Sequence, residues 1–253
     1  MLKVFVLSAL LLRAGVQVSC ADEETSDPPL CPNWSVNVEN DLVLWQALEV
    51  AHPSAKVDYN REGSNLPPCV SPYTLLSYDT FMVLLLLAGE PGEACHGCGA
   101  SVSAVFLQRD GSRLKLAGRH DGFTEAGTFG DLMSINPLRL GSHDGIMVEG
   151  GGTFQGYSSS VLTPFLILNG RMKPIGPENG ISSGDSDCGA RDGPCRDVAA
   201  YWRTQGGRLI VRYVGKRANR SRINGSVVYE LRKGMLVRVS GHKLAADIEG
   251  SRP

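Results

Sequence analysis

"VLLLLAGEPGEACHGCGASVSAVFLQRDGSRLKLAG", from Val83 to Gly118, is the stretch on which the reading of the fold turns. An apolar run enters a glycine-rich loop and a second apolar run leaves it. Asp110-Gly111 then precedes an alternating run, "RLKLAG". Alternation with a period of two marks a strand with one solvated face. Asp-Gly supplies the positive φ that tight hairpin turns require. Three antiparallel strands follow. The leading run "FMVLLLLA" (81–88) does not alternate, and eight residues are too few to cross a bilayer, so it reads as a strand buried on both faces.

The pattern recurs. "IMVEGGGTFQGYSSSVLTPFLILNGRMKPIG" (Ile146–Gly176) and "LIVRYVGKRANRSRINGSVVYELRKGMLVRVSG" (Leu209–Gly241) have the same order of strand, loop, strand, two-residue turn and strand. Their turns are Asn169-Gly170 and Lys233-Gly234. The starts are evenly spaced, 146 − 83 = 63 and 209 − 146 = 63. A long period with several strands per unit points to a mainly β protein of about three repeated antiparallel β-meanders, in a propeller-like or stacked array. One short N-terminal helix is expected in "NDLVLWQALEVAH", capped by Asn40 and stopped by Pro53. The organisation expected is a signal peptide (1–21), an N-terminal cap with Pro-rich loops (22–80), the meander domain (81–245) and a C-terminal tail (246–253).

The signal peptide is read from Lys3, the apolar run Val4–Leu12 and the small residues Ser19 and Ala21 before an acidic start. Cleavage after Ala21 leaves 253 − 21 = 232 residues. A lipid anchor at Cys20 is the competing reading, with Gln17 where an aliphatic residue is wanted. Either outcome takes Cys20 from the seven cysteines and leaves six in a chain bound for an oxidising, secreted or periplasmic compartment. Local bridges Cys95–Cys98 and Cys188–Cys195 are expected, and Cys31–Cys69 follows by elimination. No transmembrane segment is expected after signal removal.

The repeat aligns three loops, "EPGEACHGCGAS", "GGTFQGYSSS" and "KRANRSRING", and equivalent loops of an array emerge on one side. Candidate ligand-binding residues are therefore His96, Gln155, Tyr157, Arg220 and Arg222. Gln155 and Tyr157 offer hydrogen-bonding groups and a flat apolar surface, the glycines close approach, and the arginines anion pairing. The reading is of a non-catalytic β-protein that binds a cell-envelope component or protein partner through these loops. Neither a nucleic-acid partner nor a cofactor is expected.

The alternative is a thiol-redox or metal-dependent module at Cys95-His96-Gly97-Cys98. Redox cysteines usually sit at a helix N-terminus, and none is visible here. Zinc wants about four ligands, and the only other close pair is seven apart. The Asp185–Asp197 stretch has cysteine and alanine where a calcium loop needs oxygens. Gly184-Asp185-Ser186 lacks a downstream Asp-x-x-His, since His242 precedes Asp247, and no Gly-x-Ser-x-Gly occurs. The His-Asp-Gly trimers at 120–122 and 143–145 read as turns. No catalytic or metal-ligating residue is assigned.

Charge is uneven. Residues 22–80 carry ten acids and two bases, residues 203–243 eleven bases and one acid, Glu230. The simpler expectation is that the two ends attract each other. The sharper one is an anion-binding face on the C-terminal third.

Overall fold

The computed structural model describes residues 27–32, 41–54, 56–57, 69–89 and 94–249. The expected signal peptide, Cys20 and the cap residue Asn40 lie outside them. Helix α1 (Leu42–Ala51) is followed by β1 (Val70–Ser77), β2 (Met82–Ala88), β3 (Ala100–Asp110) and β4 (Arg113–Ala126). Next come β5 (Ser134–Leu140), β6 (His143–Phe154), β7 (Tyr157–Leu168), β8 (Arg171–Pro174) and β9 (Ile181–Ser186). The described chain closes with β10 (Asp197–Gln205), β11 (Arg208–Lys216), β12 (Arg222–Arg232), β13 (Met235–Ser240) and α2 (His242–Glu249).

The protein is mainly β, and its paired strands are antiparallel. Strands β1-β2-β3-β4 form one sheet, and β13-β12-β11-β10-β9-β7-β6-β5 run across a second of nine strands, with β8 beside β7. The three segments read as meanders are β2-β3-β4, β6-β7-β8 and β11-β12-β13, each joined by successive antiparallel pairings. A propeller is not what they build. The first meander belongs to one open sheet, and the second and third share the other. The reason lies in the pairing: β9 and β10, which the 63-residue spacing treats as filler, pair with β7 and β11 and make one continuous sheet.

Asn169-Gly170 and Lys233-Gly234 are tight turns with both φ values positive, 50° and 68°, then 51° and 78°. That geometry matches the right-handed twist of the strands they join. His120-Asp121-Gly122 is not a turn. It lies inside β4 at a bulge, with Gly122 at φ 53° and its N–H donated to Ser103 Oγ at 2.9 Å. Extra residues on one strand satisfy the glycine's conformation without reversing the chain.

Burial follows from these pairings. Met82 to Leu87 are all buried, as a non-alternating run requires. One face of β2 meets α1, where Leu44, Ala47, Leu48 and Ala51 recur at helical spacing against Leu84 and Leu86. Its other face, Val83, Leu85 and Leu87, packs on Ile146, Val148 and Phe165 of the second sheet. The cap of α1 is Asp41, whose Oδ1 accepts the N–H groups of Val43 (3.1 Å) and Leu44 (3.0 Å). A third core lies within the curl of the large sheet, where Leu162, Val211, Tyr213 and Val227 meet Ala245 and Ile248 of α2. Three cysteine pairs, Cys31–Cys69, Cys95–Cys98 and Cys188–Cys195, stand at disulfide distance. Among the described residues no helix is long and apolar enough to cross a membrane.

Leu85 lies between the sheets with no exposed surface, whereas Leu116 on β4 is 51 % exposed. Leu85→Ala is expected to lower the free energy of unfolding by about 3 kcal/mol through lost burial and an unfilled cavity. Leu116→Ala should leave the urea midpoint nearly unchanged.

Candidate binding rim

The strand registers put several turns on one end of the protein. Ser158 of β7 pairs with Ser186 of β9, which pairs with Asp197 of β10, then Lys216 of β11, then Arg222 of β12. The β6–β7 turn, the β9–β10 loop and the β11–β12 turn therefore leave the large sheet along one edge. The β2–β3 loop carrying Cys95 and Cys98 joins them from the small sheet. Its His96 ring stands 4.6 Å from Phe129, in the β4–β5 turn, and 5.3 Å from Phe154, at the end of β6, both edge to face.

His96 thus lies beside the hairpin of Gln155 and Tyr157. Arg220 and Arg222 share the edge but not the place. Four strand spacings separate β7 from β12, roughly 19 Å.

Sequence reading missed Phe129, Phe154 and Met133. A signal for the first two exists, the repeated trimer Gly-Thr-Phe before a turn, at 127–129 and 152–154. The two copies meet in space: Thr128 Oγ1 donates to Gly151 O at 3.3 Å, and the Thr128 methyl fills the place a Cβ at Gly152 would take, 2.4 Å away. Phe129 is in the left-handed region at φ 55°, followed by Gly130 at 71°. Mutual hydrogen bonds between Thr128 and Asp131, 3.1 and 3.0 Å, hold that turn, and Gly130 N donates to Cys98 O at 2.9 Å. A bulky residue at positive φ is strained. Phe129 (42 %), Met133 (59 %), Phe154 (59 %) and Tyr157 (43 %) nevertheless stay exposed.

The glycines of "GGTFQGYSSS" that suggest room for a ligand are Gly151, Gly152 and Gly156. Two of them make room for the chain itself. Gly152 receives Thr128, and a Cβ at Gly156 would stand 2.2 Å from the Gly189 carbonyl carbon. Nor is "GGTFQGYSSS" a wide loop, since β6 and β7 run up to a two-residue turn at Gln155-Gly156, with φ 49° and 82°. Beside this hairpin is a cleft of about 350 Å³, lined by Thr153, Ser158, Ser159, Ser186 and Met133 among others. Its polar groups are mostly hydroxyls, and Thr153 Oγ1 and Ser158 Oγ already share a bond of 2.7 Å.

The cysteine chemistry considered from sequence has little to act with. Cys95 and Cys98 are joined to each other, and strand β3 follows rather than a helix N-terminus. Asp187, Cys188 and Cys195 approach one another as metal ligands would, but both sulfurs are in a disulfide. Asp187 Oδ1 accepts Arg196 N at 2.6 Å and Oδ2 pairs with Arg191 at 2.8 Å. Asp185 pairs with Arg196 at 3.0 Å. Those carboxylates are neutralised by arginine, which leaves no donor set suited to a hard cation.

Among the described residues no ion pair joins 27–80 to 203–243. Arg208 and Arg232 share Glu230, Arg217 pairs with Asp247, and Arg238 with Glu249 at 2.8 Å.

No protein-family model, no curated protein and no solved structure matches this chain.

One buried histidine lies apart from the rim. His52, at the end of α1, accepts from Arg119 Nη2 at 2.8 Å through Nε2 and faces Asp27 at 3.6 Å through Nδ1. Burial, then the Arg119 charge, pushes its pKa below the ordinary imidazole value, against the opposing pull of Asp27 and Asp121. Burial raises the Asp27 carboxyl, but hydrogen bonds from Ser54 and the nearby cations outweigh it and leave it below its usual range. A lowered folded pKa means the unfolded chain binds the extra proton first, so stability rises with pH through the unfolded value. Between about pH 5 and 7, above the range where Asp27 titrates, stability should climb, and His52→Gln should flatten that climb. Urea midpoints across the interval provide the measurement.

Gly156 locks the hairpin tip onto the Cys188–Cys195 loop, since a Cβ there would lie 2.2 Å from the Gly189 carbonyl carbon. Gly156→Ala combines that clash with a positive φ and should cost about 2 kcal/mol. Proteolysis near 187–196 should quicken in this variant before the rest of the chain becomes susceptible.

Proposed function

We propose that this is an exported, non-catalytic binding protein whose ligand is a neutral saccharide held at the aromatic rim. The observation that carries this reading is Phe129. Exposed and in a backbone conformation that disfavours it, Phe129 packs beside His96 and near the Phe154–Tyr157 hairpin end. Strain retained at an exposed ring is the pattern of a site kept for contact. Flat rings suit the apolar faces of sugars, and the adjoining Thr153, Ser158 and Ser186 hydroxyls offer both donors and acceptors. Disulfides are compatible with a secreted or periplasmic location, and the N-terminal reading of residues 1–21 accords with export. In this scheme the Cys95–Cys98 bridge braces the loop that presents His96.

Phe129→Asn separates contact from structure. Asparagine tolerates the left-handed region, so the variant should unfold at the same urea concentration as the parent or a higher one. Titration of the isotope-labelled protein with chito- and malto-oligosaccharides, followed by amide shifts, should perturb His96, Phe129, Phe154 and Tyr157 in the parent. The effect should weaken about tenfold or more in Phe129→Asn. Shifts absent from the rim, or unchanged in that variant, would overturn the saccharide reading.

A further inference from the structure

The outward face of β10-β11-β12 carries a stripe of cations that the rim does not use. Alternation along the strands puts Tyr201 and Arg203 on that face from β10, Arg212 and Lys216 from β11, and Arg222 from β12. All five are exposed. Tyr201 lies directly opposite Arg212, and Lys216 directly opposite Arg222. Arg203 is opposite Ile210 and so diagonal to Arg212, roughly 7–8 Å away. From the level of Arg203 to that of Lys216 is six residues of β11, a length of roughly 20 Å. Ile210, Val214 and Val228, all partly covered, form the ground between the charges.

None of Arg203, Arg212, Lys216 and Arg222 has an ion-pair partner among the described residues. Arg212 Nη2 donates to Asn224 Oδ1 at 3.3 Å, which orients the guanidinium without neutralising it. The acids nearby are Asp197, opposite Lys216, and Glu230, which is taken up by Arg208 and Arg232. A row of unneutralised cations on one sheet face attracts a polyanion, because each bound anion adds Coulomb energy and releases counterions.

We propose that this face binds a linear polyuronate, a polysaccharide with one carboxylate per sugar. The groups on the face favour this polymer. Lys216 and Arg222 stand roughly 5 Å apart across the strands, Arg203 and Arg212 roughly 7–8 Å, and Arg212 and Lys216 roughly 13 Å along β11. Three arginines suit carboxylates, whose two oxygens meet the guanidinium fork, and Tyr201 lends a flat ring to the sugar beside Arg212. The disulfide pairs are compatible with an oxidising compartment such as the cell exterior. The stripe is independent of the rim, so either assignment stands if the other fails.

The test is affinity for polygalacturonate oligomers at 50 mM salt, with fully methyl-esterified polymer, dextran sulfate and duplex DNA as the other arms. Arg212→Ser/Lys216→Ser is expected to weaken polygalacturonate binding about tenfold or more and to make its salt dependence shallower. Tyr201→Ala should weaken it several-fold with the salt dependence intact, and Phe129→Asn should leave it unchanged. Arg203→Ser/Arg222→Ser serves as a second pair should the first fail to fold, judged by near-ultraviolet circular dichroism. Equal affinity in a folded double variant would overturn the proposal. So would absence of binding by the parent, equal binding of the esterified polymer, or capture of DNA or dextran sulfate without polygalacturonate.

Discussion

The structure depends on a constraint in one strand: β6 has no free face across Ile146-Met147-Val148. Ile146 and Val148 point into the core shared with the small sheet, and Met147 points into the core inside the curl of the large one. Its partner β7 divides the same way, Phe165 to one side, Leu162 and Leu166 to the other. Such a pair cannot be an edge or slip in register, because a shift of one residue would exchange the two cores. Two layers that share a strand pair on opposite faces are fixed relative to each other. That is why turns from separate sheets can meet at one end.

Past the cores, the same two strands change character. At Gly150-Gly151-Gly152 the strand loses its side chains, and 126–128 folds down onto it. The glycines replace apolar packing with backbone contact, which brings the Phe129 turn against the Phe154 turn. The hairpin tip is held again from the other side, where Gly156 meets Gly189 in a loop closed by Cys188–Cys195. The rim is therefore fixed by close backbone approach and two small disulfide loops rather than by a hydrophobic plug. Its rings remain in water because nothing beneath them requires burial.

Local features were legible in the sequence. Asn169-Gly170 and Lys233-Gly234 announce their turns, "FMVLLLLA" announces a doubly covered strand, and the small cysteine loops follow from spacing. Features set by partners far along the chain were not. Nothing local says that β9 and β10 continue the large sheet, so three meanders in series suggested an array that the pairings do not build. "HKLAADIE" buries only Ala245 and Ile248, with Leu244 half-covered beside them, too weak a period to read as α2. Among the candidate residues, His96 and Tyr157 come together only because β6 is shared. Arg222 was grouped with them through loop equivalence, and strand spacing alone separates it.

Charge illustrates the same division between composition and arrangement. Composition sets the bases of 203–243 against the acids of 22–80, yet among the described residues four of those bases are neutralised from close at hand, by α2 and β12. Asp247, Glu249 and Glu230 account for Arg217, Arg238, Arg208 and Arg232. The paired arginines lie at strand ends and around α2, where the chain folds back on itself. Arg203, Arg212 and Arg222 stand on the outer sheet face, where no segment among the described residues crosses over. Such exposed pairs contribute little to stability, typically below about 1 kcal/mol each. Their effect is to divide the basic segment, with one part tied to α2 and another left facing solvent. A formal net charge of −1 conceals that division, because it sums over the faces on which charge acts.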